Sequence, residues 1–99
     1  MLENKNIIIT GAGSGIGRAT SKLAAGYGAQ VLCVDLTDAV EATAAEINSG
    51  GGRAVAMQAD VADEAQVRAY VERCISEFGS IHGIYANAGV GGGGKPMLE

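Results

Sequence analysis

The chain has 99 residues, of which 47% are hydrophobic and 18% are charged. This composition suits one small folded domain with a modest core and excludes an intrinsically disordered chain. Seven basic residues against eleven acidic ones give a net charge of -4 without any basic run, so neither nucleic acid nor an anionic membrane is an expected partner. The start has no signal-peptide pattern, and no stretch approaches the ~20 apolar residues of a membrane span. We therefore expect a soluble, cytoplasmic protein.

The first predicted element is a strand over Asn6–Thr10, because its continuous β-branched run is typical of a strand buried on both faces. A glycine-rich turn follows. A helix is predicted next, since apolar and small residues recur at three- and four-residue steps: Ile16, Ala19, Thr20, Leu23, Ala24 and Tyr27. Gly28 is expected to stop this helix.

The same strand and helix pattern continues through the rest of the chain. A second buried strand ends at Asp35, and Asp38 with Glu41 resembles a capping box at the start of a helix that stops near Gly50. Residues 53–59 have the mixed character of an edge strand. Asp63 with Gln66 predicts a second capping box, and the amphipathic helix that follows ends at Gly79. Residues 81–86 form the predicted fourth strand.

This order of elements predicts an α/β fold, a Rossmann-like doubly wound parallel sheet with the arrangement βαβαβαβ and strand order 3-2-1-4. A crevice for ligand is expected at the carboxyl ends of strands one and four. Cys33, Cys74 and the single histidine, His82, have no metal-ligand or disulfide spacing, so buried free thiols are expected.

The glycine-rich turn has the composition of a phosphate-binding loop. Gly11, Gly15 and Gly17 lie between a buried strand and a helix, where glycine lets a phosphate approach the free N–H groups of the helix start. Asp35 follows at the end of the next strand, where a carboxylate can accept the adenosine ribose hydroxyls and disfavour a 2'-phosphate. The alternative is that the glycines only form a tight turn and that Asp35 only caps a helix.

Three motifs resemble those of the short-chain dehydrogenase/reductase family. Residues 10–17, TGAGSGIG, resemble the family's T-G-x-x-x-G-I-G cofactor motif; Asp60-Val61 resembles its adenine-contacting pair, and Asn87-Ala88-Gly89 resembles its N-A-G motif. Ala86 departs from the family, which often has a second asparagine there. The motifs span most of the chain, and residues 1–90 are interpreted as a dinucleotide-binding half-domain followed by a glycine-rich flexible tail over residues 91–99.

The resemblance implies a cofactor role for each matching residue. The pyrophosphate is expected against the loop and helix start, at Gly11, Ser14, Gly15, Ile16 and Gly17. The resemblance places Asp35 at the adenosine ribose, Asp60 and Val61 at the adenine, and Asn87, Ala88 and Gly89 near the ribose. NAD is expected in preference to NADP, because no basic residue occupies the positions of Ser14, Leu36 and Thr37. For Asp60 a turn role, and for Asn87 a role in tying strands together, remain alternatives.

The resemblance also implies what this chain lacks. Family members transfer hydride with a Ser and a Tyr-x-x-x-Lys pair beyond the N-A-G motif, whereas the three tyrosines here are followed four residues later by Val31, Cys74 and Gly89. We therefore expect a nucleotide-binding half of a dehydrogenase that binds NAD(H) and is inactive alone. The alternatives are a self-associating structural or engineered scaffold with negligible cofactor binding, and one part of a split active oxidoreductase.

The predicted fourth strand suggests an oligomer. Without a further neighbour its apolar residues, Ile81, Ile84 and Tyr85, lie on an open sheet edge, and such edges pair with other chains. A homo-oligomer through this strand is expected.

Overall fold

The structure, a computed structural model, describes residues 2–13 and 15–86. Strands and helices alternate along these residues: β1 (Asn6–Thr10), α1 (Gly15–Gly26), β2 (Gln30–Asp35), α2 (Ala39–Ser49), β3 (Arg53–Gln58), α3 (Glu64–Phe78) and β4 (Gly83–Ala86). The predicted tail, residues 91–99, lies outside the described part. Of the described helices, none is long and apolar enough to span a membrane.

The strands form one parallel sheet in the order β3-β2-β1-β4, which confirms the predicted strand order. β1 lies between β2 and β4, with Ile8 opposite Leu32 on one side and Ile84 on the other. Each connection between parallel strands needs a crossover, and the three helices provide these crossovers. The fold is therefore the Rossmann-like α/β arrangement expected from the sequence.

The alternation of side chains along the strands divides the core into two layers. Ile9, Val31 and Cys33 pack beneath α1 and α2 on one face of the sheet. Ile8 and Leu32 point to the other face, where α3 covers them. The central strands are thus buried on both faces, which explains their continuous apolar sequence.

The buried face of α1 differs from the one that its apolar pattern suggests. Its buried residues are Gly17, Ser21 and Ala24, whereas Ile16 is 67% exposed and Leu23 is 61% exposed. Small residues let the helix lie close to the sheet, and the Ser21 hydroxyl is satisfied by the Gly17 carbonyl at 2.8 Å. Helix α1 ends at Gly26, and Gly28 stops it as predicted, with a left-handed φ of 103°.

The two predicted capping boxes have different outcomes. Asp63 caps α3, since its carboxylate accepts from the Ala65 N–H at 2.9 Å, and Gly79 ends that helix in the left-handed conformation. The prediction at Asp38 is wrong: its backbone is already helical and its side chain makes no cap bond. The Thr37 hydroxyl accepts from the Ala39 N–H instead, at 3.3 Å.

The amino end of β1 is fixed by one buried side chain. The Asn6 amide donates to the Ser80 hydroxyl at 3.0 Å and accepts from Gln30 Nε2 at 2.7 Å. The Asn6 backbone N–H donates to His82 Nδ1 at 2.9 Å, and the His82 N–H donates to the Asn6 carbonyl at 2.8 Å. These bonds hold the approach to β4, which begins at Gly83 and not at residue 81 as predicted.

Candidate functional site

The carboxyl ends of β1, β2 and β3 bring the predicted site residues to one edge of the sheet. The Ala12 N–H donates to the Val34 carbonyl at 3.1 Å, so the glycine loop leaves β1 directly beside β2. The Ala59 N–H donates to the Asp35 carbonyl at 2.9 Å, which places the end of β3 next to the end of β2. The loop, Asp35 and Asp60 therefore share the edge where doubly wound folds bind ligands.

The first half of the glycine loop is held from two sides. Gly11 has a φ of 68°, a left-handed conformation that favours glycine. The following residue, Ala12, is fully buried. Its N–H is bonded to Val34, and its carbonyl accepts from the buried Thr43 hydroxyl of α2 at 2.8 Å. Hydrogen bonds within the protein therefore hold both the backbone N–H and the backbone carbonyl of Ala12.

The carboxylate of Asp35 lies against the same loop. Its Oδ2 accepts from the Gly13 N–H at 2.8 Å, and its Oδ1 accepts from the Leu36 N–H at 2.7 Å. These two bonds join the loop after β1 to the end of β2. Asp35 is not a cap of α2, so the structural alternative considered from the sequence does not describe it.

The second half of the loop opens α1. Gly15 has a φ of 59°, and a Cβ added there would meet no atom within 4 Å. The N–H groups of the first helical turn, which include those of Gly15, Ile16 and Gly17, have no acceptor within the helix. They also carry the positive end of the helix dipole. N–H groups without an acceptor in the helix, at the positive end of the helix dipole, are the arrangement that favours an anionic ligand.

Asp60 lies in a turn after β3, as the turn alternative predicted. Its Oδ1 accepts from the Ala62 N–H at 2.8 Å, and its own N–H donates to Gln66 Oε1 at 2.7 Å. Val61 packs against the core layer under α3. Within residues 2–13 and 15–86, the second oxygen of Asp60 has no bonded partner. The turn role leaves that oxygen available.

Ser14, Asn87, Ala88 and Gly89 lie outside the described residues, so their predicted cofactor roles stay predictions. Arg18, on the first turns of α1, points toward α2, where it forms an ion pair with Glu46.

Neither cysteine offers reactive chemistry near the loop. Cys33 and Cys74 are both buried free thiols. Burial raises the pKa of the Cys33 thiol to about 11, and the hydrogen bond with Ser21 lowers this pKa by a smaller amount. Burial also raises the pKa of Cys74. A thiol that stays protonated near neutral pH is a poor nucleophile.

Two residues that shape this edge were not among the predicted site residues. Thr43 holds the Ala12 carbonyl and Gly13 holds the Asp35 carboxylate. A polar residue within the apolar stripe of α2 was an available signal for Thr43. Gly13 stands at an open position of the resembling motif, which therefore assigns it no contact with Asp35.

A sequence model of the family described as short chain dehydrogenase matches residues 5–99. The chain belongs to the short-chain dehydrogenase family. Members of this oxidoreductase family use NAD(P) cofactors. The family assignment thus agrees with the geometry of the loop and Asp35.

Individual relatives support the same assignment. The 2,5-dichloro-2,5-cyclohexadiene-1,4-diol dehydrogenase of Sphingobium indicum is 41% identical over 98 residues, which are 99% of this chain and 38% of the relative. The cyclohexanol dehydrogenase of an Acinetobacter species is 41% identical over 89 residues, which cover 89% of this chain and 36% of the relative. The chain therefore spans less than two fifths of the length of these relatives.

Solved structures show the same fold. A hydroxysteroid dehydrogenase from Escherichia coli superposes with a TM-score of 0.89 and 39% sequence identity, over 97% of this chain and 41% of that one. A short-chain type dehydrogenase/reductase from Mycobacterium marinum superposes with a TM-score of 0.80 and 36% identity, over 84% of this chain and 34% of that one.

Proposed function

We propose that the chain binds NAD(H) at the carboxyl edge of its sheet, as the nucleotide-binding part of an oxidoreductase. The observation that carries this proposal is the Asp35 carboxylate, which is bonded to the glycine loop through the Gly13 N–H at 2.8 Å. A ribose acceptor and a phosphate-binding helix start are thereby joined in one unit. The relatives named above are dehydrogenases, which supports the same reaction class.

The residues at this edge suit the chemistry of a dinucleotide. Gly11, Gly15, Ile16 and Gly17 would hold the pyrophosphate, with Ser14 beside them, because free N–H groups at a helix start favour an anion. No other part of the described chain lies within 4 Å of the place where a Cβ of Gly15 would stand.

The adenosine half of the ligand would meet the ends of β2 and β3. Asp35 would accept the ribose hydroxyls. The free oxygen of Asp60 and the backbone of Val61 would contact the adenine. The N-A-G segment, residues 87–89, would complete the site near the ribose.

The charge at the end of β2 favours NAD over NADP. A 2'-phosphate would lie beside the Asp35 carboxylate, and like charges at that distance repel. Leu36 and Thr37, which follow, offer no positive charge to compensate. We therefore propose that NAD binds more tightly than NADP.

Bound NAD(H) supplies the hydride acceptor or donor, and the protein must supply substrate binding and a proton donor. None of the tyrosines in this sequence has a lysine four residues later. We propose that the 99-residue chain binds the cofactor without catalysing hydride transfer by itself.

Isothermal titration calorimetry with NAD and NADP tests the binding proposal. We expect saturable NAD binding, weaker NADP binding, and an NAD affinity at least about tenfold lower in Asp35→Ala, since bonds to charged groups contribute about 1.5–3 kcal/mol. Asp38→Ala is the matched control, because it removes the same charge nearby from a side chain without a cap bond. A folded chain that gives no saturable heat with NAD would refute the proposal.

We also propose that two copies associate through β4. Among the described strands β4 pairs with β1 alone, and Ile84 and Tyr85 are 50% and 44% exposed. Within residues 2–13 and 15–86 no strand pairs with the other side of β4, so a second β4 could pair there across a twofold axis. A recess of about 430 Å³, lined in part by Ile7 and Tyr85, lies beside the strand. Sedimentation velocity should show a dimer that Ile84→Lys dissociates. A folded wild-type monomer at micromolar concentration would contradict this interface.

A further inference from the structure

We propose that Gly13 is a positioning residue: the missing side chain at this position sets the place of the Asp35 carboxylate, and through it the choice between NAD and NADP. The selectivity part of this inference rests on the proposed NAD binding. The positioning part concerns two residues of the protein and can be tested without any ligand.

The backbone does not explain why residue 13 is glycine. Gly11 and Gly15, on either side, have positive φ angles of 68° and 59°, which favour glycine. Gly13 has no positive φ, so an alanine could adopt its backbone conformation. The reason for glycine must therefore come from its surroundings.

Those surroundings leave no room for a side chain. A Cβ at residue 13 would lie 2.7 Å from Asp35 Oδ2 and 3.2 Å from the Ala39 Cβ. The first distance is shorter than real Cβ contacts, so the carboxylate would have to turn away. Turning breaks the 2.8 Å bond from the Gly13 N–H and disturbs the 2.7 Å bond from the Leu36 N–H, because both end on the same rigid carboxylate.

The two existing bonds leave a defined capacity for ligand. An ionised carboxylate has about four acceptor sites, and Gly13 and Leu36 occupy one on each oxygen. One site on each oxygen remains, which matches the two adjacent hydroxyl groups of a ribose. A carboxylate turned away from Gly13 would lose this match and would also move its charge relative to a 2'-phosphate.

The ligand-free test is amide hydrogen exchange followed by NMR. We expect the Gly13 N–H to exchange slowly in the wild type and about tenfold or more faster in Asp35→Ala, because the variant removes a charged acceptor. Asp38→Ala should leave the exchange rate unchanged. Equal Gly13 exchange rates in wild type and Asp35→Ala would overturn the positioning role.

The ligand test compares Gly13→Ala with Gly26→Ala by calorimetry. Gly26 lies in α1, has no positive φ, and a Cβ added there meets nothing within 4 Å. We expect Gly13→Ala to lower NAD affinity about tenfold and to narrow the preference for NAD over NADP, whereas Gly26→Ala changes neither. In the Asp35→Ala background, Gly13→Ala should cause no further loss of NAD affinity. The double variant Gly13→Ala/Asp35→Ala should therefore bind NAD as Asp35→Ala does.

Each outcome separates the two proposals. Normal NAD binding and selectivity in a folded Gly13→Ala would overturn the inference and leave the proposed function standing. No NAD binding by the folded wild type would overturn the proposed function and the selectivity part together, while amide exchange still decides whether the Asp35 carboxylate accepts from the Gly13 N–H.

Discussion

Replacing Thr43 with valine tests the bond that fixes the buried part of the glycine loop. The substitution keeps the shape of the side chain and removes the hydroxyl that donates to the Ala12 carbonyl at 2.8 Å. Thr43 and Ala12 are both fully buried, so water cannot easily replace the lost donor. Thr43→Val should therefore leave a buried carbonyl without its partner.

The size of the effect follows from two opposing contributions. An unpaired buried carbonyl costs about 1–3 kcal/mol, and the new methyl group recovers about 0.8 kcal/mol of apolar burial. We expect the free energy of unfolding to fall by about 0.2–2.2 kcal/mol. For a chain of this size each kcal/mol lowers the Tm by about 4–8 °C.

Urea and thermal unfolding followed by circular dichroism measure this change. Thr20→Val in α1 is the matched control, because within residues 2–13 and 15–86 the Thr20 hydroxyl has no bonded partner; its stability should stay within about 0.5 kcal/mol of the wild type. If Thr43→Val is as stable as the wild type, the bond to Ala12 does not hold the loop and the reasoning is refuted.

Three further predictions concern the fold. Asn6→Ala should lower the free energy of unfolding by about 2 kcal/mol in urea titrations, because it removes several side-chain bonds at a buried position; an unchanged midpoint would contradict this. Asp63→Ala should cost about 1 kcal/mol through the lost cap of α3, whereas Asp38→Ala should cost almost nothing, and equal losses would show that the capping assignment is wrong. The folded state raises the pKa of Cys33 from 9.0 to about 11, so the thiol of the unfolded chain ionises at a lower pH than that of the folded chain. The stability that this thiol contributes is therefore present below pH 9 and is lost as the pH rises toward 11. Between pH 8 and pH 10 the free energy of unfolding should fall by about 1 kcal/mol. Cys33→Ala should reduce this loss in urea titrations at the two pH values, and Cys74, whose pKa burial also raises, contributes to what remains. An unchanged loss would exclude the Cys33 thiol as its cause.

The sheet was predictable because its information is local in the sequence. Runs such as Asn6–Thr10 are apolar without interruption, which indicates strands covered on both faces, and helices between them impose parallel pairing. The cap at Asp63 was also predictable, since an aspartate three residues before a glutamine and ahead of an apolar stripe is a typical helix start. These features fixed the element order and the sheet order together.

The wrong details depend on contacts that a periodic pattern does not contain. Asp38 has the spacing of a cap, but its backbone is already helical, so its side chain cannot reach the helix N–H groups from outside. In α1 the large apolar residues Ile16 and Leu23 are exposed, because small residues such as Gly17 and Ser21 form the face of the helix that packs on the sheet. The roles of Thr43 and Gly13 depend on contacts with segments that are distant in the sequence, which a local pattern does not contain.

The central position of β1 has a consequence during synthesis. Its amino end is bonded to His82, 76 residues later in the chain, and its second neighbour is β4. At elongation rates of about 5–20 residues per second, β1 leaves the ribosome about 4–15 s before the segment that completes its pairing. During that interval one side of the most apolar strand has unpaired backbone groups, which is the condition under which nascent chains aggregate or recruit chaperones. The arrival of His82 at Asn6 ends that interval, because β4 then pairs with the open side of β1.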